Sequence, residues 1–172
     1  TNNISTVVVT VTDTVYARDN GVTELFSGLN NFYNEMCNKY TVTTTDTLTS
    51  ITFKVDNTNG VLDGKPVVCL LRAMNPVLMQ PDTIMYLSYT IYITSNNQQW
   101  WTASFSTPIE LAPGDYIMSV SQADTYLGMC FAPGHFTRFS SFYVNGGSQG
   151  SPTWANHDNW APLVPMIRAN FT

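Results

Sequence analysis

At 172 residues with 44% hydrophobic content, the chain is long enough for one domain with a real core. Charged residues make up only 11%, the net charge is −5 and the pI is near 4.6, so no Lys/Arg cluster exists to release counterions from a phosphate backbone, and a nucleic-acid partner is excluded. No apolar run approaches the roughly 18 residues of a membrane-spanning helix, so membrane insertion is not expected.

Thr, Ser and Asn hold the polar positions that Glu, Lys and Arg would take on helical surfaces, a balance that favours strands and turns. Residues 4–16 begin the chain as a threonine-rich strand, with Val7, Val9 and Val11 on one side and Val8, Thr10 and Thr12 on the other. Asp19-Asn20-Gly21 reads as a turn. From Thr23 to Lys39 the pattern is irregular, and Gly28-Leu29-Asn30-Asn31 interrupts it; a loop with at most one helical turn is expected. Leu48 to Val55 alternates, with Ile51, Phe53 and Val55 inward. Asp56-Asn57-Thr58-Asn59-Gly60 is a turn whose acidic spacing does not fit an EF-hand, and no metal site is assigned to it.

Pro66 to Met74 is a central strand, apolar on both faces until Arg72. Pro76 and Pro81 bracket a loop, and Met85 to Thr94 is the clearest two-faced strand in the chain. Gln98 to Ser106 returns with Trp101, Ala103 and Phe105 on one face and Trp100 on the other. Phe105 to Val120 then reads as strand, tight turn, strand. In the turn Ala112-Pro113-Gly114-Asp115, proline presets φ and glycine is expected to supply the positive φ of a type II turn. Shorter strands follow in Gln122–Ala132 and Phe136–Val144. After a glycine-rich turn and an aromatic loop from Trp154 to Trp160, Pro165–Phe171 closes the chain. Eight to ten strands with turn signals every 8–12 residues predict an all-β fold: one antiparallel two-sheet β-sandwich, jelly-roll-like, over residues 1–172.

The runs Asp46–Phe53, Gly64–Leu71, Trp101 with Phe105–Tyr116, and Pro165–Phe171 together resemble a jelly-roll-like module of secreted and surface proteins of Bacteroidetes, of the kind that precedes a type IX secretion sorting domain. The likeness spans roughly residues 33–171. It implies an extracellular or cell-surface location and a non-catalytic role in binding or building, and it brings no catalytic residues. No sorting domain is seen here, which suits a processed mature chain, and the strand Ile4–Tyr16 is additional to the pattern.

The residues themselves offer little catalytic chemistry. Three cysteines, Cys37, Cys69 and Cys130, read as small buried apolar residues; a Cys37–Cys130 disulfide is compatible with the count, and the spacing rules out a zinc knuckle. His157-Asp158 lies in an aromatic loop and His135 follows Pro133-Gly134, but no G-x-S-x-G elbow marks a nucleophile. The aspartates fall mostly at turns, no two carboxylates are tied by spacing to one cleft, and the isolated Glu24, Glu35 and Glu110 do not change this. No catalytic set, metal or cofactor is assigned.

Two binding expectations follow. The extra N-terminal strand, through Val7, Val8, Val9 and Val11, is positioned to add to the edge of a neighbouring copy and build a filament, which makes copies of the chain or other surface proteins the expected partners. Alternatively, Trp100, Trp154, Trp160 and Tyr126 present aromatic faces for glycans, as in a carbohydrate-binding module.

Overall fold

The computed structural model describes residues 14–94, 97–122, 126–134, 139–147, 152–157 and 163–172. Residues 1–13 lie outside this set, so the expected assembly strand, with Val7, Val8, Val9 and Val11, is not among the described residues. The described chain has fourteen strands: β1 (Val15–Ala17), β2 (Leu25–Leu29), β3 (Asn34–Val42), β4 (Asp46–Asp56), β5 (Pro66–Asn75), β6 (Gln80–Leu87), β7 (Ile91–Tyr92), β8 (Gln98–Leu111), β9 (Gly114–Gln122), β10 (Leu127–Pro133), β11 (Ser141–Asn145), β12 (Ala155–Asn156), β13 (Leu163–Pro165) and β14 (Ile167–Phe171). The count exceeds the expected eight to ten because pieces such as β7 and β12 are only two residues long.

Two antiparallel seven-stranded sheets form the sandwich. The first holds β1, β14 and β4 in order, with β8 also on β4, and β10 carrying β2 and β13. The second runs β12-β11-β3-β9-β5-β6, with β7 also on β5. The alternation read from sequence holds in the strands that build the core. Ile51, Phe53 and Val55 of β4, Val67, Cys69 and Leu71 of β5, and Met118 and Val120 of β9 are all fully buried in one cluster between the sheets. Each large apolar side chain so buried contributes about 1.5–3 kcal/mol of transfer free energy.

The Phe105–Val120 corner joins the two sheets rather than forming a hairpin within one: β8 pairs with β4, while β9 lies between β3 and β5. Gly114 does not take the positive φ expected of it; among the described residues the glycines that do are Gly21, Gly60, Gly64, Gly146 and Gly147. Instead the Tyr116 hydroxyl donates to the Ala112 carbonyl at 3.0 Å, latching the start of β9 to the chain just before it. Pro108 fits inside β8 because residues 105–108 stand against Thr49 alone in an irregularity of the β4–β8 register, where no regular ladder bond is required of it.

Two expected elements are corrected. Residues 23–39 hold two strands, not a loop with a helical turn: β2 pairs with β10 over Leu29 to Leu25, and β3 pairs along its whole length with β9. Pairing on both sides of β3, with β9 and β11, overrides the weak local pattern. Tyr33, at φ 57°, reverses the chain just before β3. The predicted strand from Met85 to Thr94 is broken at Ser88. Ser88 bridges to Phe105 of β8, its backbone N–H donates to Cys69 of β5, and Tyr89 donates to Ser104. Tied to both sheets, this stretch forms a margin of the sandwich, and β6 leaves Met85, Tyr86 and Leu87 exposed.

Candidate binding site

The outer face of the second sheet carries a feature that the apolar run of β5 only hinted at. Alternation sends Val67, Cys69 and Leu71 into the core and turns Arg72 to the other side. That side is also covered: Trp154 and Met74 pack against Cys37, Ile117 and Phe142 in a small apolar cluster of their own. Arg72 is therefore only 2% exposed, and it needs an anion.

Glu35 of β3, 0% exposed, supplies it across the intervening strand β9. Arg72 Nε donates to Glu35 Oε1 and Nη2 to Oε2, both at 2.8 Å, the bidentate geometry that suits a guanidinium to a carboxylate. Nη2 also donates to the Tyr33 hydroxyl at 3.2 Å, and that hydroxyl donates to Glu35 Oε2. Burial raises the Tyr33 hydroxyl well above its ordinary value, and the Glu35 charge raises it further, so it keeps its proton. Burial pulls the Arg72 guanidinium down, but the Glu35 hydrogen bonds and charge outweigh it and the net shift is upward. The pair is charged and internally neutral.

The third Arg72 nitrogen faces β6. Nη1 donates to the Asp82 carbonyl at 2.9 Å. The β5–β6 register shifts on both sides of Arg72, so β6 carries extra residues here; such a bulge re-aims backbone groups and brings this carbonyl to the guanidinium. Between β6 and residues 152–154 lies a cavity of about 410 Å³. Arg72 and Trp154 line it, with the Trp154 ring centroid 5.3 Å from the guanidinium carbon, within cation–π range. Gln80, Asp82 and Thr83 add polar groups from β6, and Pro81, Ile84 and Pro152 add apolar ones.

The other aromatic residues singled out in the sequence lie elsewhere. Trp100 does face away from the core, on the outer side of the first sheet, where it packs on Cys130, Ala132 and Met166. The Arg168 guanidinium lies 4.2 Å from its ring centroid and is held by Asp19 through bonds of 2.6 and 3.0 Å. Lys54 Nζ lies 6.0 Å from the same centroid. Tyr126 packs against the core at the β2–β10 pairing. Its ring fits there because Gly28 lacks a Cβ, which would stand 2.1 Å from a ring carbon. Trp160 lies outside the described residues. Of the three that are described, Trp154 lines the Arg72 cavity, while Trp100 and Tyr126 sit on separate surfaces.

The other groups considered for chemistry are built into the packing. His157 is 1% exposed, stacked on Phe131 at 4.9 Å and met by the edge of Tyr143. Asp158 and His135 are outside the described residues. All three cysteines are free and buried, with no Cys37–Cys130 bond, and burial raises each thiol, that of Cys130 to about 11. Among the described residues no group of three His, Cys, Asp or Glu side chains could hold a metal. Sequence reasoning passed over Glu35 as an isolated acid and Arg72 as the end of an apolar run. A single cation inside a central strand is the signal that asks for a buried partner.

A second surface borders the cavity. Of the fourteen large hydrophobic side chains that are exposed among the described residues, eight fall between residues 77 and 92: Val77, Leu78, Met79, Met85, Tyr86, Leu87, Tyr89 and Tyr92. They occupy the β5–β6 turn, β6 and the chain leading through β7, which is the margin of the second sheet.

No protein-family model matches this sequence, and no curated protein matches it. Among solved structures, a clostridial cysteine protease, Cwp84 after propeptide cleavage, is similar with a TM-score of 0.64 at 9% identity. The match covers 85% of this chain and 37% of the protease chain. At that identity the likeness shows a shared fold alone.

Proposed function

We propose that this chain is a non-catalytic structural or adhesive module that works outside the cell and associates with copies of itself or with other surface proteins. The observation that carries this reading is the β6–β7 margin. Exposed apolar side chains are ordinary when scattered, but eight gathered on one sheet margin mark an association surface. Among the described residues β6 pairs with β5 on one side only, so its other edge offers backbone groups to an added strand. The uncharged, alternating stretch from residue 4 to 12 has the composition of such a strand, and its donation to the next copy would build an open filament. The extracellular setting is supported by the low charge and by the resemblance of Asp46–Phe53 and Phe105–Tyr116 to secreted modules.

A cysteine nucleophile works as an accessible thiolate, whereas Cys37, Cys69 and Cys130 are fully buried with raised thiols. Sedimentation velocity and electron microscopy of the whole chain test the proposal. The whole chain is expected to form concentration-dependent assemblies, residues 14–172 alone to remain monomeric, and Tyr86→Lys or Tyr89→Lys to weaken association. A monomeric whole chain, or equal assembly after removal of residues 1–13, would sink the reading.

A further inference from the structure

We propose that the cavity between Arg72, β6 and Trp154 binds a neutral saccharide. This site is separate from the association margin, and its ligand class follows from what the walls accept and refuse. At about 410 Å³ the cavity has the size of a small-molecule site. An anion is disfavoured because the Arg72 charge is already answered by the bidentate Glu35 bonds, and Asp82 places a carboxylate on the wall. A cation gains little, because the guanidinium already takes the cation–π position at Trp154. A purely apolar ligand would strip water from Gln80, Asp82 and Thr83 and return no hydrogen bonds.

A neutral sugar satisfies all three constraints. Its CH groups can pack on the apolar wall of Pro81, Ile84 and Pro152 beside Trp154, and its hydroxyls both donate and accept. The protein side supplies both senses. The Asp82 carboxylate, which takes one bond from Asn75 at 3.2 Å and one from the Thr83 hydroxyl at 3.5 Å, keeps lone pairs to accept with, the Thr83 oxygen accepts, and the Gln80 amide does either. Arg72 also retains a donor. Of the five guanidinium N–H groups, one goes to each Glu35 oxygen, one to Tyr33 and one to the Asp82 carbonyl. The fifth, on Nη1, has no partner among the described residues, and Arg72 lines the cavity while being 2% exposed. Its position is fixed by four bonds, which is the preorganisation that a weakly held hydroxyl ligand needs.

The test is calorimetric titration of the whole chain with neutral gluco-, manno-, galacto- and xylo-oligosaccharides, with polygalacturonate as the acidic comparison. Saturable binding of at least one neutral class is expected. Trp154→Ala should reduce affinity tenfold or more, the double substitution Gln80→Ala/Asp82→Ala should do likewise, and Trp100→Ala should leave it unchanged. The rim double substitution carries the test if loss of Trp154 prevents folding. The proposal is overturned if no neutral class binds, if polygalacturonate binds more tightly than any of them, or if binding survives the rim substitutions undiminished.

Discussion

Removing both members of the Arg72–Glu35 pair should damage the fold less than the two single removals added together. Arg72 is 2% exposed and Glu35 is 0% exposed, so either single substitution, Arg72→Met or Glu35→Leu, leaves a full charge in the protein interior. Stranding a buried charge costs about 3–5 kcal/mol, whereas replacing a whole pair by apolar side chains can be nearly neutral. The double variant is not free of cost here, because Tyr33 loses its partner Glu35 and the Asp82 carbonyl loses Nη1. Leaving those two neutral groups short costs about 1–3 kcal/mol each where water cannot reach them. The double variant should therefore lose less than the sum of the singles, by about 4 kcal/mol at the middle of these ranges. Urea unfolding of the four proteins, followed by circular dichroism at constant m-value, measures this cycle. Two results would refute the reasoning: single losses below about 1 kcal/mol each, the behaviour of an exposed ion pair, or strict additivity in the double variant.

Three further outcomes are expected. The Tyr33 and Tyr40 hydroxyls and the Cys130 thiol are all raised by burial, Cys130 to about 11 from 9.0. The unfolded chain then gives up these protons before the folded one, so stability is fully present below about pH 9 and falls as pH rises beyond it. A urea midpoint that stays level to pH 11 would contradict this. At the corner, Tyr116→Phe removes the 3.0 Å bond to the Ala112 carbonyl and should cost about 1 kcal/mol, a drop in Tm of about 2–4 °C by calorimetry. Trp100→Ala should uncover Cys130, Ala132 and Met166, and so speed the native-state reaction of Cys130 with an aromatic disulfide reagent.

The fold was legible where one physical signal acted alone. In β4, β5 and β9 the period-two pattern matched a buried inner face, and the core residues followed directly. It failed in two circumstances. Residues 23–39 lack a clean period because β2 exposes Leu25 and Phe26 and β3 buries residues of both faces, from Asn34 to Asn38. There the strand is imposed by neighbours far away in sequence, which a local window does not contain. Residues 85–94 failed in the opposite sense: Met85, Leu87, Tyr89, Ile91 and Ile93 alternate well, yet Ser88 is spent joining β5 to β8. Alternation reports that a strand has two faces, not that either face is buried. For the site, Trp154 was legible as an aromatic in a loop, but its neighbours were not. Glu35 and Arg72 are thirty-seven positions apart and meet only because β9 lies between their strands.

The β5–β6 hairpin carries both proposed surfaces, the cavity on one side and the apolar margin along its edge. A sheet margin is ordinarily the least restrained part of a sandwich, since it has partners on one side and opens first. Here Arg72 ties it inward. One guanidinium holds the Asp82 carbonyl at the edge and Glu35 two strands away, with the Trp154 ring centroid 5.3 Å from its carbon. An apolar side chain at this position would pack as well, but it would not fix the β6 bulge, because dispersion contacts do not select one backbone carbonyl over another. The geometry of such a bond does. A buried ion pair is weak evidence of stability and a better account of a defined local arrangement. Its place at the margin, rather than between the sheets, fits a hairpin held to one defined shape.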